Sequence, residues 1–188
     1  MNKKSIREKY KSMRFSLSKA SRMNLSEQID YQFKELNLSN IKIVHHYLAV
    51  EEQQEIATDG IVKMLRESFQ DLLQVVPVMK QQDMISVLYE EGMTVQLNEW
   101  GIREPIQEIL IDEHSIDCVL TPLLAFDKKG NRVGYGKGCY DRFFTKCRKD
   151  VIKIGFSYFP PVDNIQDTDK FDIPLNFCIT PDRIYEFG

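Results

Sequence analysis

A chain of 188 residues has room for one domain with a sizeable core, and 43% hydrophobic with 28% charged residues is ordinary globular composition, not that of a disordered or fibrous chain. The formal net charge of -3 excludes a global positive field that would recruit nucleic acid or an anionic membrane, so an anionic ligand must be held by local basic groups. The charged start Met1-Asn2-Lys3-Lys4-Ser5-Ile6-Arg7 lacks the apolar core of a signal peptide, and no stretch approaches the roughly 18–20 apolar residues of a membrane-spanning helix; a cytoplasmic protein is expected.

Ile6, Tyr10, Met13 and Leu17 recur at spacings of three and four and predict a helix from residue 3 to about 18. A second helix is expected from about 26 to 35, with Asn24 or Ser26 as its cap. The β-branched and aromatic run 41–50 reads as a buried strand, with His45 and His46 as structural residues inside it. Thr58 caps a helix running to about Ser68. Leu72 to Val78 is a strand ending near Pro77, and Met84 to Tyr89 is another. Residues 90–110 show no strong period. Ile116 to Leu120 is a short apolar strand followed by a glycine loop and a helix from about Tyr140 to Arg148. Strands at 151–156 and 177–180 close the chain. The alternation predicts a single α/β domain over residues 1–188, a three-layer sandwich around a largely parallel mixed sheet. Cys118, Cys139, Cys147 and Cys178 form no Cys-x-x-Cys pair and no zinc-ligand spacing, so they read as reduced thiols.

The informative segment is Asp127-Lys128-Lys129-Gly130-Asn131-Arg132-Val133-Gly134-Tyr135-Gly136-Lys137-Gly138-Cys139-Tyr140-Asp141-Arg142. Alternating glycines after a strand let successive backbone N–H groups approach an anion, with Arg132 and Lys137 adding full charges. It is not a Walker loop, because Gly138 stands where Ser or Thr would follow the lysine, and its glycine spacing is not the dinucleotide fingerprint. Asp141 is placed to ligate Mg2+ beside a polyphosphate. From these residues alone a plain chain reversal, a sugar-phosphate or CoA-type anion loop and a non-catalytic binding module stay open.

The run from Leu124 through Gly130-Asn131-Arg132-Val133-Gly134-Tyr135-Gly136-Lys137-Gly138 to Tyr140-Asp141-Arg142 resembles the signature of the 5-formyltetrahydrofolate cyclo-ligases. Lys3-Lys4-Ser5-Ile6-Arg7 is similar to the family's basic first helix, Tyr47 through Thr58 to its strand and acidic turn, Gly101 to Pro105 to a Glu-Pro element, and 171–180 to its closing strand. Val133 replaces a usual leucine and Cys139 a usual aromatic residue; Cys139 is read as a replacement, not a nucleophile.

The resemblance implies ATP-dependent cyclisation of 5-formyltetrahydrofolate to 5,10-methenyltetrahydrofolate, with ATP and Mg2+ required. It implies a monomer with no nucleic-acid or membrane partner. Lys137 and Arg132 are the implied catalytic residues. ATP falls to Lys3, Lys4, Arg7 and the segment Arg132, Val133, Gly134, Tyr135, Gly136, Lys137, Gly138, Cys139 and Tyr140. The folate falls to Val50, Glu55, Tyr135, Gly136, Lys137, Gly138 and Cys139, and the metal to Asp141 and Asp172.

Overall fold

The computed structural model describes residues 1–81 and 83–188. Helix α1 spans Lys3–Ser16, and the Asn2 side chain accepts from the Ser5 N–H at 2.9 Å to cap it. Helix α2 spans Lys19–Phe33 and starts well before residue 26, because the Ser18 side chain caps it by accepting from the Ser21 N–H. Its only buried residues are Ile29 and Phe33, so the apolar spacing reveals just its second half. Helix α3, Asp59–Ser68, begins where expected, but Thr58 does not cap it with its side chain; the hydroxyl donates instead to the Tyr47 carbonyl at 3.0 Å. Helix α4 is only Cys139–Phe144 and does not reach Arg148, since the amides of Thr145 and Lys146 turn back onto carbonyls three residues earlier.

The strands in chain order are β1 (Ile43–His45), β2 (Leu73–Lys80), β3 (Asp83–Leu88), β4 (Val95–Leu97), β5 (Arg103–Pro105) and β6 (Leu110–Ile111). Then come β7 (Cys118–Thr121), β8 (Ala125–Phe126), β9 (Arg132–Val133), β10 (Ile152–Phe156), β11 (Phe177–Ile179) and β12 (Ile184–Glu186). An eight-stranded sheet runs β12-β11-β10-β7-β1-β2-β3-β6, with β4-β5 and β8-β9 as separate hairpins. The five strands from β11 to β2 are parallel, and the flanking β3, β6 and β12 are antiparallel. The mixed, largely parallel α/β sheet matches the sequence expectation. The hairpins, β6 and β12 were not anticipated; each strand is two or three residues long, too short to show a period.

β1 is far shorter than the apolar run 41–50. Its ladder ends at His45, after which residues 46–50 leave the sheet. β2 therefore runs on through Pro77 to Lys80 with no β1 partner beyond Val75, so the missing proline N–H interrupts no ladder on that side.

Alternate side chains of the central strands feed two layers. Cys118 and Leu120 join Val44, Ile154 and Phe156 beneath α2 and α3. Val119 and Val75 face Phe143, Phe144 and Cys147 around α4. Helix α1 packs Ile6 and Tyr10 against Leu124, Ala125 and Val133 of the β8–β9 hairpin. Each such buried side chain contributes about 1.5–3 kcal/mol of hydrophobic stabilisation. The thiols of Cys118, Cys147 and Cys178 are free and buried.

The chain winds in one direction from β1 to β2, β3 and β6, and in the other through β7, β10 and β11. The reversal puts a topological switch point between β1 and β7, where a crevice opens at the carboxyl ends of the strands.

Gly130 closes the β8–β9 turn with φ +82, and a Cβ there would lie 2.8 Å from Phe187 Cγ and 3.0 Å from the Leu175 carbonyl oxygen. Gly130→Ala combines left-handed backbone strain with overpacking, and should destabilise the protein by about 3 kcal/mol. A shift of the urea midpoint at unchanged m-value checks this.

Candidate active site

A cavity of about 860 Å3 opens at the switch point. That is the upper end of the size of small-molecule sites, roughly 300–1,000 Å3. Its walls come from the chain leaving β1 (Tyr47, Leu48, Val50), from β2 (Pro77, Met79), from the residues after β7, and from α1.

One end is the glycine turn. Gly134, Tyr135, Gly136, Lys137 and Gly138 all line the cavity. Among the described residues, none of their backbone N–H groups donates a hydrogen bond within the protein. These residues are exposed or half-buried in the cavity wall, so successive N–H groups not used inside the protein are available to cradle an anion there. Gly136 has φ +94, and a Cβ on it would lie 3.1 Å from Arg7 Cζ, so the turn and the guanidinium share space only a glycine leaves.

Helix α1 supplies the cations. Lys3, Arg7 and Lys11 fall four residues apart and all line the cavity. Arg7 Nε donates to the Gly134 carbonyl at 2.9 Å. Lys4 points elsewhere: it is exposed and not part of the wall. The neighbouring stripe of α1 is buried and ends in Arg14, only 3% exposed. Arg14 donates through NH1 to the Tyr135 hydroxyl at 3.1 Å and through NH2 to the Leu123 carbonyl. Arg14 lies four residues beyond Tyr10 on the buried stripe, and the local sequence does not single it out.

Arg132 also faces the cavity, but both terminal nitrogens are engaged. NH2 meets Asp141 Oδ1 at 2.7 Å, NH1 reaches the Ile173 carbonyl, and the guanidinium lies over the Phe144 ring at 5.0 Å. Burial pulls its pKa down and the Asp141 charge pushes it back up. Asp172 holds Lys3 Nζ at 2.7 Å. The two candidate metal carboxylates thus line one wall, each carrying a cation. The hydrogen bonds of Asp141 all fall on Oδ1, from Arg132 and the Ile173 N–H, leaving Oδ2 open among the described residues. No group of three or more His, Cys, Asp or Glu is gathered into an all-protein metal cage among the described residues.

At the other end, Glu55 follows a 3₁₀ turn (Glu51–Gln53) and accepts from the Val50 N–H at 2.9 Å through Oε2. Burial raises its pKa, opposed by the Val50 N–H, the Tyr135 hydroxyl and the Arg14 charge. Val50 forms part of the wall beside it. Cys139 and Tyr140 line the cavity too, and the buried Tyr140 hydroxyl has no hydrogen-bond partner among the described residues.

The β4–β5 hairpin closes one side. Buried Glu104 accepts from the Met79 N–H and from Asn98 Nδ2, both at 2.8 Å, and so ties the hairpin to β2. Asn98 Oδ1 in turn accepts from the Trp100 N–H at 2.9 Å. Trp100, the chain's one tryptophan, puts its ring 4.2 Å from Lys137 Nζ. The aperiodic stretch 90–110 hid this contact.

Fold and site together define an α/β protein whose cavity opens at the carboxyl edge of its parallel strands, cationic at one end and acidic at the other. A model of the 5-formyltetrahydrofolate cyclo-ligase family matches residues 1–178, and the chain belongs to that family. It is similar to a 5-formyltetrahydrofolate cyclo-ligase of Haemophilus influenzae, 33% identical over 127 residues that cover 64% of this chain and 67% of that one. It is also similar to one of Mycoplasma genitalium, 39% identical over 69 residues, 36% of this chain and 42% of that one. The aligned stretch thus spans two thirds of the first relative and under half of the second. The solved 5,10-methenyltetrahydrofolate synthetase of Aquifex aeolicus superposes with a TM-score of 0.80 at 25% identity, covering 99% of this chain and 93% of that one. The Mycoplasma pneumoniae structure superposes at 0.75 with 24% identity, a likeness of fold, covering 96% of this chain and 99% of that one. No helix among the described residues is long and apolar enough to cross a membrane.

His45 and His46 sit where β1 gives way to the cavity wall. The His45 ring packs 4.6 Å from the Phe143 ring, and neither of its ring nitrogens has a hydrogen-bond partner among the described residues. Burial, then the neighbouring His46, lowers its pKa to about 3; burial lowers that of His46 to about 4. Both stay neutral in the folded protein while the unfolded chain takes up protons below its ordinary value near 6.5. Stability should therefore fall with acidification, by about 2 kcal/mol per histidine between about pH 7.5 and about pH 5. His45→Phe should remove its own share of that slope, read from urea unfolding at the two pH values.

Proposed function

We propose that the protein closes a ring on 5-formyltetrahydrofolate in an ATP- and Mg2+-dependent reaction, giving 5,10-methenyltetrahydrofolate, ADP and phosphate. Family membership supports the substrate. The observation that carries the reading is one cavity lined both by turn residues whose amides donate to nothing among the described residues and by the half-buried Glu55 carboxylate.

The amides of Gly134 to Gly138, with Lys3, Arg7 and Lys137, hold the triphosphate. Glu55 accepts from the N–H edge of the pterin, and Val50 gives it an apolar wall. Lys137 leaves Trp100 to meet the transferring phosphoryl group, while Arg132 holds Asp141 in place and adds positive charge behind it. Asp141 and Asp172 fit a Mg2+ ion shared with phosphate oxygens: they are hard donors on one wall, and this ion commonly takes only one or two protein carboxylates. When bound, the ion would spread the phosphate charge.

The formyl oxygen of an amide is a poor leaving group. Transfer of the γ-phosphoryl to that oxygen releases ADP and makes it a good one. N10 then forms its bond to the activated carbon and loses its proton, the C–O bond breaks, and phosphate departs. Little covalent work falls to the side chains; alignment and charge stabilisation carry the rate.

Mixing the protein with 5-formyltetrahydrofolate, ATP and Mg2+ should give the near-ultraviolet absorbance of the methenyl product; folded protein that yields none would overturn the reading. Lys137→Ala should lower kcat/KM for ATP by about 100-fold, some 3 kcal/mol of transition-state stabilisation. Arg132→Ala should lose activity and stability together, the latter by about 3–5 kcal/mol, because it leaves Asp141 without its buried partner.

A further inference from the structure

Arg14 is almost wholly buried, yet no carboxylate lies within ion-pair distance of it among the described residues. A desolvated cation normally needs a counter-charge. The Tyr135 hydroxyl, which takes a hydrogen bond from Arg14 at 3.1 Å, belongs to a side chain lining the same cavity as Glu55, and that hydroxyl helps hold down the Glu55 pKa against burial. Tyr135 lies between Gly134 and Gly136, inside the turn whose amides are unpaired. One residue therefore lends its backbone to the cationic end of the cavity and its side chain to the acidic end.

We propose that Tyr135, anchored by Arg14, is a positioning residue that couples the two ends of the cavity, so that a polyphosphate on the glycine turn and an N–H-bearing heterocycle on Glu55 each raise the other's affinity. The inference deepens the function proposed above and rests on it. An anion held by the turn amides fixes the backbone of Tyr135 and, with it, the reach of its hydroxyl. Glu55 Oε2 is already taken by the Val50 N–H, so the Tyr135–Arg14 pair governs how the rest of the carboxylate is presented. The second ligand then meets an acceptor that is ordered beforehand, and the gain is reciprocal. The other titratable groups near Glu55 are the Tyr47 and Tyr140 hydroxyls, and Tyr47 is committed to the Ile56 carbonyl at 2.7 Å.

The test compares wild type with Tyr135→Phe, which keeps the ring and loses only the hydroxyl. Calorimetric titration with 5-formyltetrahydrofolate is run with and without a non-hydrolysable ATP analogue and Mg2+. In wild type the analogue should tighten folate binding by about fivefold or more; in Tyr135→Phe the ratio should fall close to one. In ligand-free protein, carboxyl carbon NMR, with Glu55 assigned by Glu55→Gln, should show Glu55 titrating at higher pH in Tyr135→Phe. The same coupling ratio in both proteins, or an unmoved Glu55 titration, overturns the proposal. Wild type that binds neither ligand overturns the functional reading, and the coupling with it, before any variant is compared.

Discussion

Turn amides that donate to nothing among the described residues are the constraint from which the rest of the site follows. A turn with unpaired N–H groups is not held by its own hydrogen bonds, so it must be held from outside. Helix α1 does this at two places: Arg7 grips the Gly134 carbonyl, and Arg14 grips Tyr135 and the Leu123 carbonyl below it. Ile6 and Tyr10 dock the same helix onto the β8–β9 hairpin that leads into the turn. The helix is a clamp as well as a source of charge.

Two of the cations around the cavity are neutralised in advance. Arg132 is paired with Asp141 and Lys3 with Asp172. Lys137 rests on the Trp100 ring. A polyanion arriving with a divalent cation can exchange these partners without creating a buried charge, since each cation finds phosphate as each carboxylate finds metal. Paired carboxylates and cations thus keep the ligand-free protein stable while leaving its site ready.

The sequence made the parallel strands legible, because strands buried on both faces read as continuous apolar runs. It also marked the glycine turn, whose position after a strand and flanking charges set it apart from a plain chain reversal. Arg14 was hidden, since nothing local distinguishes a buried arginine from a solvated one until its partners, more than a hundred residues away, are known. Trp100 was hidden because its hairpin is fixed by Glu104, which accepts from Asn98 inside the hairpin and from the Met79 N–H of β2, a tertiary arrangement with no period of its own. The early end of β1 was likewise a matter of context: the apolar residues after His45 line the cavity instead of joining the sheet. Segments that answer to long-range partners form the site, and those that answer to their own periodicity form the scaffold.

The ion pair between Lys3 and Asp172 joins positions 169 apart in the chain. The Lys3 backbone N–H also reaches Asp167. Helix α1 can therefore complete its contacts only after residues 167–172 have emerged from the ribosome. A nascent or truncated chain can assemble the sheet around β1 and β7 and still lack a wall of the cavity. Competence to bind thereby waits on a segment made long after the helix it completes.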